Sequence, residues 1–178
     1  MKKIILFITV ILTGFTMNLN AQSTASTTSS ASAKLIRAMT LTETAALDFG
    51  SNLLTSPAGG TVVLSSDNNV RGYTGGVVAA TLGVAVNGAY DVTGTALETY
   101  ALTLPGTITV THQTAGGGAR TMAIVPVARF KDFGIDATTS TLDEDGEDSF
   151  TLGGTLTIVT GQVAGVYAGT FPISVDYN

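Results

Sequence analysis

Residues 99–111 read TYALTLPGTITVT, and they carry a clear strand pattern. Apolar and polar side chains alternate from Thr99 to Leu104 and again from Thr107 to Thr111, which is the period of a β-strand with one buried face. Pro105-Gly106 separates the two runs and favours a turn, because proline lacks a backbone donor and glycine tolerates unusual backbone angles. The stretch therefore predicts two successive short strands separated by a turn.

The same pattern continues on both sides of this stretch. Pro172 donates no hydrogen bond, so the last strand should lie at a sheet edge or carry a bulge. No amphipathic helix is predicted after the N-terminal leader, and about eight to ten short strands indicate an all-β fold, an immunoglobulin-like antiparallel β-sandwich or a barrel. The other predicted strands are Lys34–Thr42, Thr61–Leu64, Ala80–Val92 with a hairpin turn at Asn87-Gly88, Met122–Phe130, Phe150–Ile158 and Val166–Tyr177, and the predicted loops are Ser56–Gly60 and Ser65–Gly76.

Residues 1–21 have the layout of a secretory signal peptide. Lys2 and Lys3 form a basic start, an apolar run follows, and Leu19-Asn20-Ala21 offers a cleavage site. The alternative is an uncleaved anchor, but the apolar run is short and nothing basic follows it. Residues 22–33, QSTASTTSSASA, predict a flexible linker, and residues 34–178 a single β-sandwich domain. We expect a protein of the periplasm, the cell surface or the medium, with no stable membrane span after cleavage.

Composition restricts the classes of partner. The chain contains no cysteine, so neither a disulfide nor a lipid-modified N-terminal cysteine is expected. The formal net charge is −5, and it becomes −7 if the two lysines of the leader are removed. Because the remaining basic residues are scattered, we expect no nucleic-acid partner.

Few residues suggest chemistry. His112 is the only histidine, which disfavours zinc or copper sites, and it is interpreted as a surface residue at a hairpin. Asp143, Asp145 and Asp148 in the acidic run of residues 143–148 are candidate calcium ligands, with a solvated β-turn as the alternative. We expect no catalytic residues and no cofactor, and a carbohydrate-active hydrolase is only a remote alternative.

Several segments occur in an order that resembles a known family. Leu47-Asp48-Phe49-Gly50 precedes Asp91-Val92-Thr93-Gly94, and FTLGGTL at residues 150–156 precedes GVYAGTF at residues 165–171. This set, over about residues 34–178, resembles domain-of-unknown-function family 4402 of exported bacterial proteins.

The C-terminus also resembles pilus subunits of the chaperone–usher kind, through Gly165, Tyr167 and Tyr177. That resemblance implies a pilin-like sandwich in which Val166–Tyr177 pairs with an assembly chaperone. It also implies that Gln22–Thr42 is donated to a copy of the chain or a related subunit, with Leu35, Met39 and Leu41 filling a groove. The alternative is that Lys34–Thr42 is the first strand of the domain itself.

The sequence leaves two main hypotheses open. One is a pilus-like structural or adhesive subunit that acts by β-strand exchange, and the other is a monomeric secreted ligand-binding module. The interaction candidates are Leu35, Met39, Leu41, Tyr167, Phe171 and Tyr177, and the alternative for all six is ordinary core packing.

Overall fold

The computed structural model describes residues 24–79, 83–131, 134–135 and 137–178, and these residues form an all-β fold. Every strand pairing is antiparallel, and the described residues contain no helix, which confirms the predicted fold class. Two of the strands, β8 and β11, are only two residues long. The strands are β1 Thr40–Ala45, β2 Leu53–Leu64, β3 Arg71–Ala79, β4 Gly88–Thr93, β5 Thr99–Thr103, β6 Ile108–His112, β7 Thr121–Phe130, β8 Gly134–Ile135, β9 Thr139–Thr141, β10 Glu147–Ile158, β11 Tyr167–Ala168 and β12 Ser174–Tyr177.

β10 is the central strand of the larger sheet. One of its edges pairs with β7 from Phe150 to Thr157. The other edge pairs with β4 up to Leu152 and with β2 from Gly154 onward. A Cβ atom on Gly153 would collide with the Leu64 carbonyl oxygen, so a glycine is needed where β10 changes partner.

Two clusters of buried side chains lie on the inner face of this sheet. We call them the aromatic core and the aliphatic core. The aromatic core contains Tyr90, Val92, Tyr100, Leu102, Ala128, Phe130, Leu142, Phe150 and Leu152. The aliphatic core contains Phe49, Val62, Leu64, Val77, Ala85, Ile108, Ile124, Leu156 and Ile158.

A second, smaller sheet covers only one of these cores. Its strand order is β12-β5-β9, and Tyr100 and Leu102 of β5 belong to the aromatic core. Val175 and Tyr177 of β12 pack against the same core. No residue of these three strands belongs to the aliphatic core or is among the side chains packed against it.

Two glycine-rich segments predicted as loops are strands. Residues 56–60 lie inside β2, and Arg71–Gly76 lies inside β3. The pairing shifts register between Thr55 and Gly60, and Gly60 then faces Gly75. Both glycines have positive φ, and a Cβ atom on Gly60 would meet the Thr74 carbonyl oxygen. The glycines therefore form a bulge within a hairpin, and they do not end its strands.

The predicted hairpin turn at Asn87-Gly88 is wrong. Val86 forms an antiparallel bridge with Asp48, and β4 begins at Gly88. Asn87 is buried, and its side-chain amide donates to the carbonyl oxygens of Ser65 at 2.5 Å and Leu152 at 3.0 Å. Long-range hydrogen bonding to a buried side chain therefore replaces the expected turn.

The predicted last strand is divided. β11 pairs with β6 in the larger sheet, and β12 pairs with β5 in the smaller one. Pro172 lies between them in a segment that belongs to no strand. Each part lies at the end of its sheet, but neither part contains Pro172, so the predicted edge strand or bulge at this proline is replaced by a break between two short strands.

The predicted first strand begins later than expected, at Thr40. The chain divides into two units, residues 1–35 and residues 36–178. The described residues of the first unit, 24–35, are exposed and belong to no strand, whereas the predicted signal peptide lies outside the described residues. Within the described ranges, no helix has the length and apolarity that a membrane span requires.

Candidate functional site

A groove of about 900 Å³ lies over the aliphatic core, where the smaller sheet does not reach. Its floor consists of inward-facing side chains of β6, β7 and β10: Val110, Met122, Ile124, Leu156 and Ile158. Its walls are residues 46–54 and residues 162–169. Of the described residues that line the groove, Asp48 alone is a charged type. The floor can therefore contact apolar groups and offers them little competing charge.

The first wall follows β1 and is fixed by hydrogen bonds from its backbone. The Asp48 amide donates to the Val86 carbonyl at 2.9 Å, and the Val86 amide donates back at 2.8 Å. The Arg71 guanidinium donates to the Phe49 carbonyl oxygen at 2.9 Å and to that of Gly83 at 2.5 Å. Phe49 is thereby held in the aliphatic core beneath this wall.

The second wall is attached to β6 by a very short strand. Tyr167 pairs with His112 and Ala168 with Thr111. The Tyr167 hydroxyl donates to the Val163 carbonyl oxygen at 2.5 Å and accepts from the side-chain Nε2 of Gln162 at 2.7 Å. Gln162 Oε1 is buried and, among the described residues, finds no hydrogen-bond donor. Side-chain hydrogen bonds therefore hold the second wall in place, because β11 has only two residues with which to pair.

His112 stabilises the second wall. Its Nδ1 accepts from the Thr114 amide at 2.9 Å and lies 3.0 Å from Arg120 Nη1, and its Nε2 lies 3.0 Å from the Ala164 carbonyl oxygen. Its ring also meets the Tyr167 ring edge-on, with centroids 5.0 Å apart. Both ring nitrogens are engaged by groups of the fold, so this histidine is more than a surface residue at a hairpin.

A Cβ atom on Gly165 would overlap the His112 imidazole, and Gly165 has a positive φ of 151°. The close approach of Gly165 to His112 therefore requires glycine. This contact gives a local physical reason for the glycine in the GVYAGTF segment.

The three calcium candidates occupy different structural positions. Asp143 Oδ1 accepts from the amides of Glu147 at 2.8 Å and Asp145 at 3.0 Å, and these hydrogen bonds, chiefly the one from Glu147, lower the pKa of Asp143. Asp148 Oδ2 instead accepts from Tyr100 at 2.8 Å and Ser140 at 2.5 Å. Among the described residues, no group of three or more metal-binding side chains could hold an ion. The acidic turn organises the start of β10.

Four of the six interaction candidates pack against the aromatic core, and the other two lie elsewhere. Leu35 is 96% exposed. Met39, Leu41 and Tyr177 pack against the aromatic core, Phe171 packs against both cores, and Tyr167 lies in the second wall. The sequence analysis did not select the residues of the groove floor as interaction candidates. An inward-facing residue shows the same alternation of polar and apolar neighbours whether or not a second sheet covers it.

The hydroxyl of Tyr177, the last tyrosine of the chain, makes hydrogen bonds to residues just before β1 and just after β4. Tyr177 Oη accepts from the Thr95 amide at 2.6 Å and donates to the Arg37 carbonyl at 2.8 Å. The Arg37 amide donates to Thr95 Oγ1 at 2.6 Å. Residue 37 is therefore fixed to the domain at the aromatic core.

Comparison with known proteins identifies the family. No curated protein matches the sequence. The family model described as a domain of unknown function (DUF4402) matches residues 39–177, which include all twelve strands. The matched range covers most of the chain and both walls of the groove, and the chain belongs to the DUF4402 family.

Proposed function

We propose that this chain is a non-catalytic, exported bacterial protein that serves as a pilus-like structural or adhesive subunit and accepts a β-strand into its groove. The observation that carries the proposal is the groove of about 900 Å³ with an apolar floor. Export is proposed from the layout of residues 1–21.

Strand addition fits the way in which the two sheets end. The larger sheet extends beneath the aliphatic core through β10 and β7, but the smaller sheet lies over the aromatic core alone. An added strand would continue the second layer, place alternate side chains on the floor and satisfy its backbone along a wall. Complexes made in this way dissociate slowly, because many hydrogen bonds and apolar contacts must break together.

The proposal is tested by a denaturing gel of the native cell-surface fraction, blotted for this protein with and without boiling. We expect bands of higher mass without boiling that collapse to the monomer on boiling. A monomer band in both lanes, from a fraction rich in the protein, would contradict strand exchange.

Two neighbouring residues of β7 provide a matched pair of variants. Met122 lines the groove and is half-buried, whereas Ala123 is exposed and absent from the groove lining. Met122→Glu should remove the high-mass bands, because a carboxylate on the floor would lose its hydration under an incoming strand. Ala123→Glu should retain them, and urea unfolding of both variants shows whether each is folded.

A monomeric ligand-binding module is the second candidate. Small-molecule sites commonly have volumes of about 300–1,000 Å³ and a few polar groups in a mainly apolar lining. The groove has this character, with Gln162 and Tyr167 in its second wall. A stable monomer in the gel, together with an apolar small molecule that raises the melting temperature of the unaltered chain more than that of Met122→Glu, would favour this function.

A further inference from the structure

We propose that the second wall is acid-sensitive: His112 holds it in place while the imidazole is neutral and releases it when the imidazole takes up a proton. This wall is the segment of residues 162–169. The inference concerns the wall itself, so it does not depend on whether the groove accepts a strand, a small molecule or neither. It follows from the groups that surround the two ring nitrogens of His112.

The hydrogen bonds of His112 require a neutral ring. Its Nδ1 accepts from the Thr114 amide at 2.9 Å, and Arg120 Nη1 lies 3.0 Å from the same nitrogen. A backbone amide and a guanidinium are donors only, so Nδ1 must offer them its lone pair and carry no proton. The single proton of the ring is then on Nε2, which donates to the Ala164 carbonyl oxygen at 3.0 Å, within the second wall.

A second proton on the ring would replace this arrangement with repulsion. It would place an N–H group on Nδ1 against the Thr114 amide and the Arg120 cation, and like charges at this distance disfavour each other. One acceptor is within reach, the Thr114 carbonyl oxygen at 3.0 Å, but it already accepts from Arg120 Nη1 at 2.7 Å. The protonated ring therefore keeps its place only if the guanidinium or the turn that carries it moves.

The charged and titratable groups that face the ring do not favour its protonation. Arg120, just before β7, is the charged group, and Tyr167, in β11, is the titratable one, with its ring edge-on to the imidazole. A tyrosine is neutral throughout the pH range in which a histidine titrates. Among the described residues, the side chains in contact with the ring thus supply no negative charge that would stabilise an imidazolium.

Close packing couples the ring to the second wall. Gly165 lies so near that a Cβ atom on it would overlap the imidazole. On either side of this contact, the Gln113 amide donates to the Val166 carbonyl oxygen at 2.8 Å, and the Val163 amide donates to that of Ala119 at 3.0 Å. A ring that turns to relieve the repulsion would push against the wall and break these hydrogen bonds.

The direction of the pH effect follows from proton linkage. A histidine in a released segment titrates near about pH 6.5. Because the released wall binds a proton that the closed wall excludes, rising pH favours the closed form. The contribution of His112 to closure is therefore fully present above about pH 7 and is lost as the pH falls below about 6.5. At about pH 5.5 closure should be about tenfold less favourable.

The test is hydrogen exchange of the full chain at about pH 7.5 and about pH 5.5, corrected for the effect of pH on the chemical exchange rate. The amides of Gln113 and Val163 should lose about tenfold in protection at the lower pH. The Leu102 amide, which donates to the Thr138 carbonyl oxygen, should not, since Leu102 belongs to the aromatic core. His112→Gln should remove the difference, because glutamine offers a donor and an acceptor but does not titrate.

Arg120→Gln is a second variant, which leaves His112 in place. Without the cation, protonation of the ring should cost less, so the wall should lose less protection than in the unaltered chain. Unchanged protection of the wall at about pH 5.5, an equal loss in His112→Gln, or an equal loss at Leu102 would each overturn the inference. If the wall of His112→Gln is already unprotected at about pH 7.5, Arg120→Gln decides alone, and a loss as large as that of the unaltered chain overturns the inference.

Discussion

The two cores differ in construction although they share β10. Phe150 and Leu152 at its beginning enter the aromatic core, and Leu156 and Ile158 near its end enter the aliphatic core. In the first, Phe130 contacts the rings of Tyr100 and Phe150, with centroids 5.9 Å and 5.5 Å apart. In the second, the same sheet forms the floor of a groove.

Hydrogen bonds from two tyrosine side chains also stabilise the aromatic core. The buried hydroxyl of Tyr100 binds Asp148, and that of Tyr177 joins the chain before β1 to the loop after β4. Around the groove, hydrogen bonds instead fix the two walls, and the floor residues Ile124, Leu156 and Ile158 are only 2–5% exposed. Rings and their hydrogen bonds therefore distinguish the aromatic core, whereas the aliphatic core has a groove along one side.

The largest expected effect compares two leucines of β10. Leu152 is 0% exposed in the aromatic core, and Leu156 is 2% exposed on the groove floor. Leu152→Ala should lower the free energy of unfolding by about 4 kcal/mol and Leu156→Ala by about 2 kcal/mol, because Leu156 lines the groove and its truncation leaves a cavity that is not fully enclosed. Urea unfolding measures both.

Equal losses for the two leucines would contradict the difference between the cores.

The next effect concerns the second wall. Gly165→Ala should cost about 2 kcal/mol, from backbone strain at positive φ and from overlap with the His112 ring. The double variant Gly165→Ala with His112→Ala should lose less than the sum of the two single variants, because removing the ring relieves the overlap. Urea unfolding of all three variants gives the coupling, and strictly additive losses would show that the ring and the glycine act independently.

Alkaline pH should act on the aromatic core. Burial, with a smaller contribution from the nearby Glu43 carboxylate, raises the pKa of Tyr90 to about 12, and burial and Asp148 raise the pKa of Tyr100 as well. An unfolded tyrosine has a pKa of about 10. Above that pH the unfolded state loses protons that the folded state keeps, so the stability present below pH 10 is lost as pH rises towards 12.

The measurement is the urea midpoint at a series of pH values from 9 upward. Tyr90→Phe should show a smaller decrease above pH 10 than the unaltered chain, because its ring no longer titrates. The same slope in both proteins would mean that Tyr90 has no raised pKa in the folded state.

The sequence predicts those parts of the fold that local alternation controls. β5, β6 and β7 are found close to the predicted positions: polar and apolar residues alternate in β6, the buried residues of β5 alternate with less buried ones, and β7 is a nearly continuous apolar run. The family is also confirmed by residues 39–177. Pro172 predicted an edge or a bulge within one long C-terminal strand, whereas the structure divides that strand and leaves Pro172 outside both parts.

Long-range contacts decide the features that the sequence does not predict. Gly60 and Gly75 look like turn residues, yet they face each other across a bulge. The sequence around Asn87 predicts a hairpin turn, but its side-chain amide donates to the carbonyl oxygens of Ser65 and Leu152, which are distant in the chain. The groove depends on where the smaller sheet ends, and no local pattern around Met122 or Ile124 contains that information.

The smallest expected effect is on the outer surface, near the point where β10 changes partner. Arg129 Nε lies 3.3 Å from Asp67 Oδ1, and both side chains are substantially exposed. Asp67→Asn should change the free energy of unfolding by less than about 1 kcal/mol, with the difference shrinking further at high salt, because water and ions screen an exposed pair. A loss of unfolding free energy above about 2 kcal/mol would contradict this expectation. It would mean that an ion pair on the outer surface contributes to stability beside the packing of the two cores.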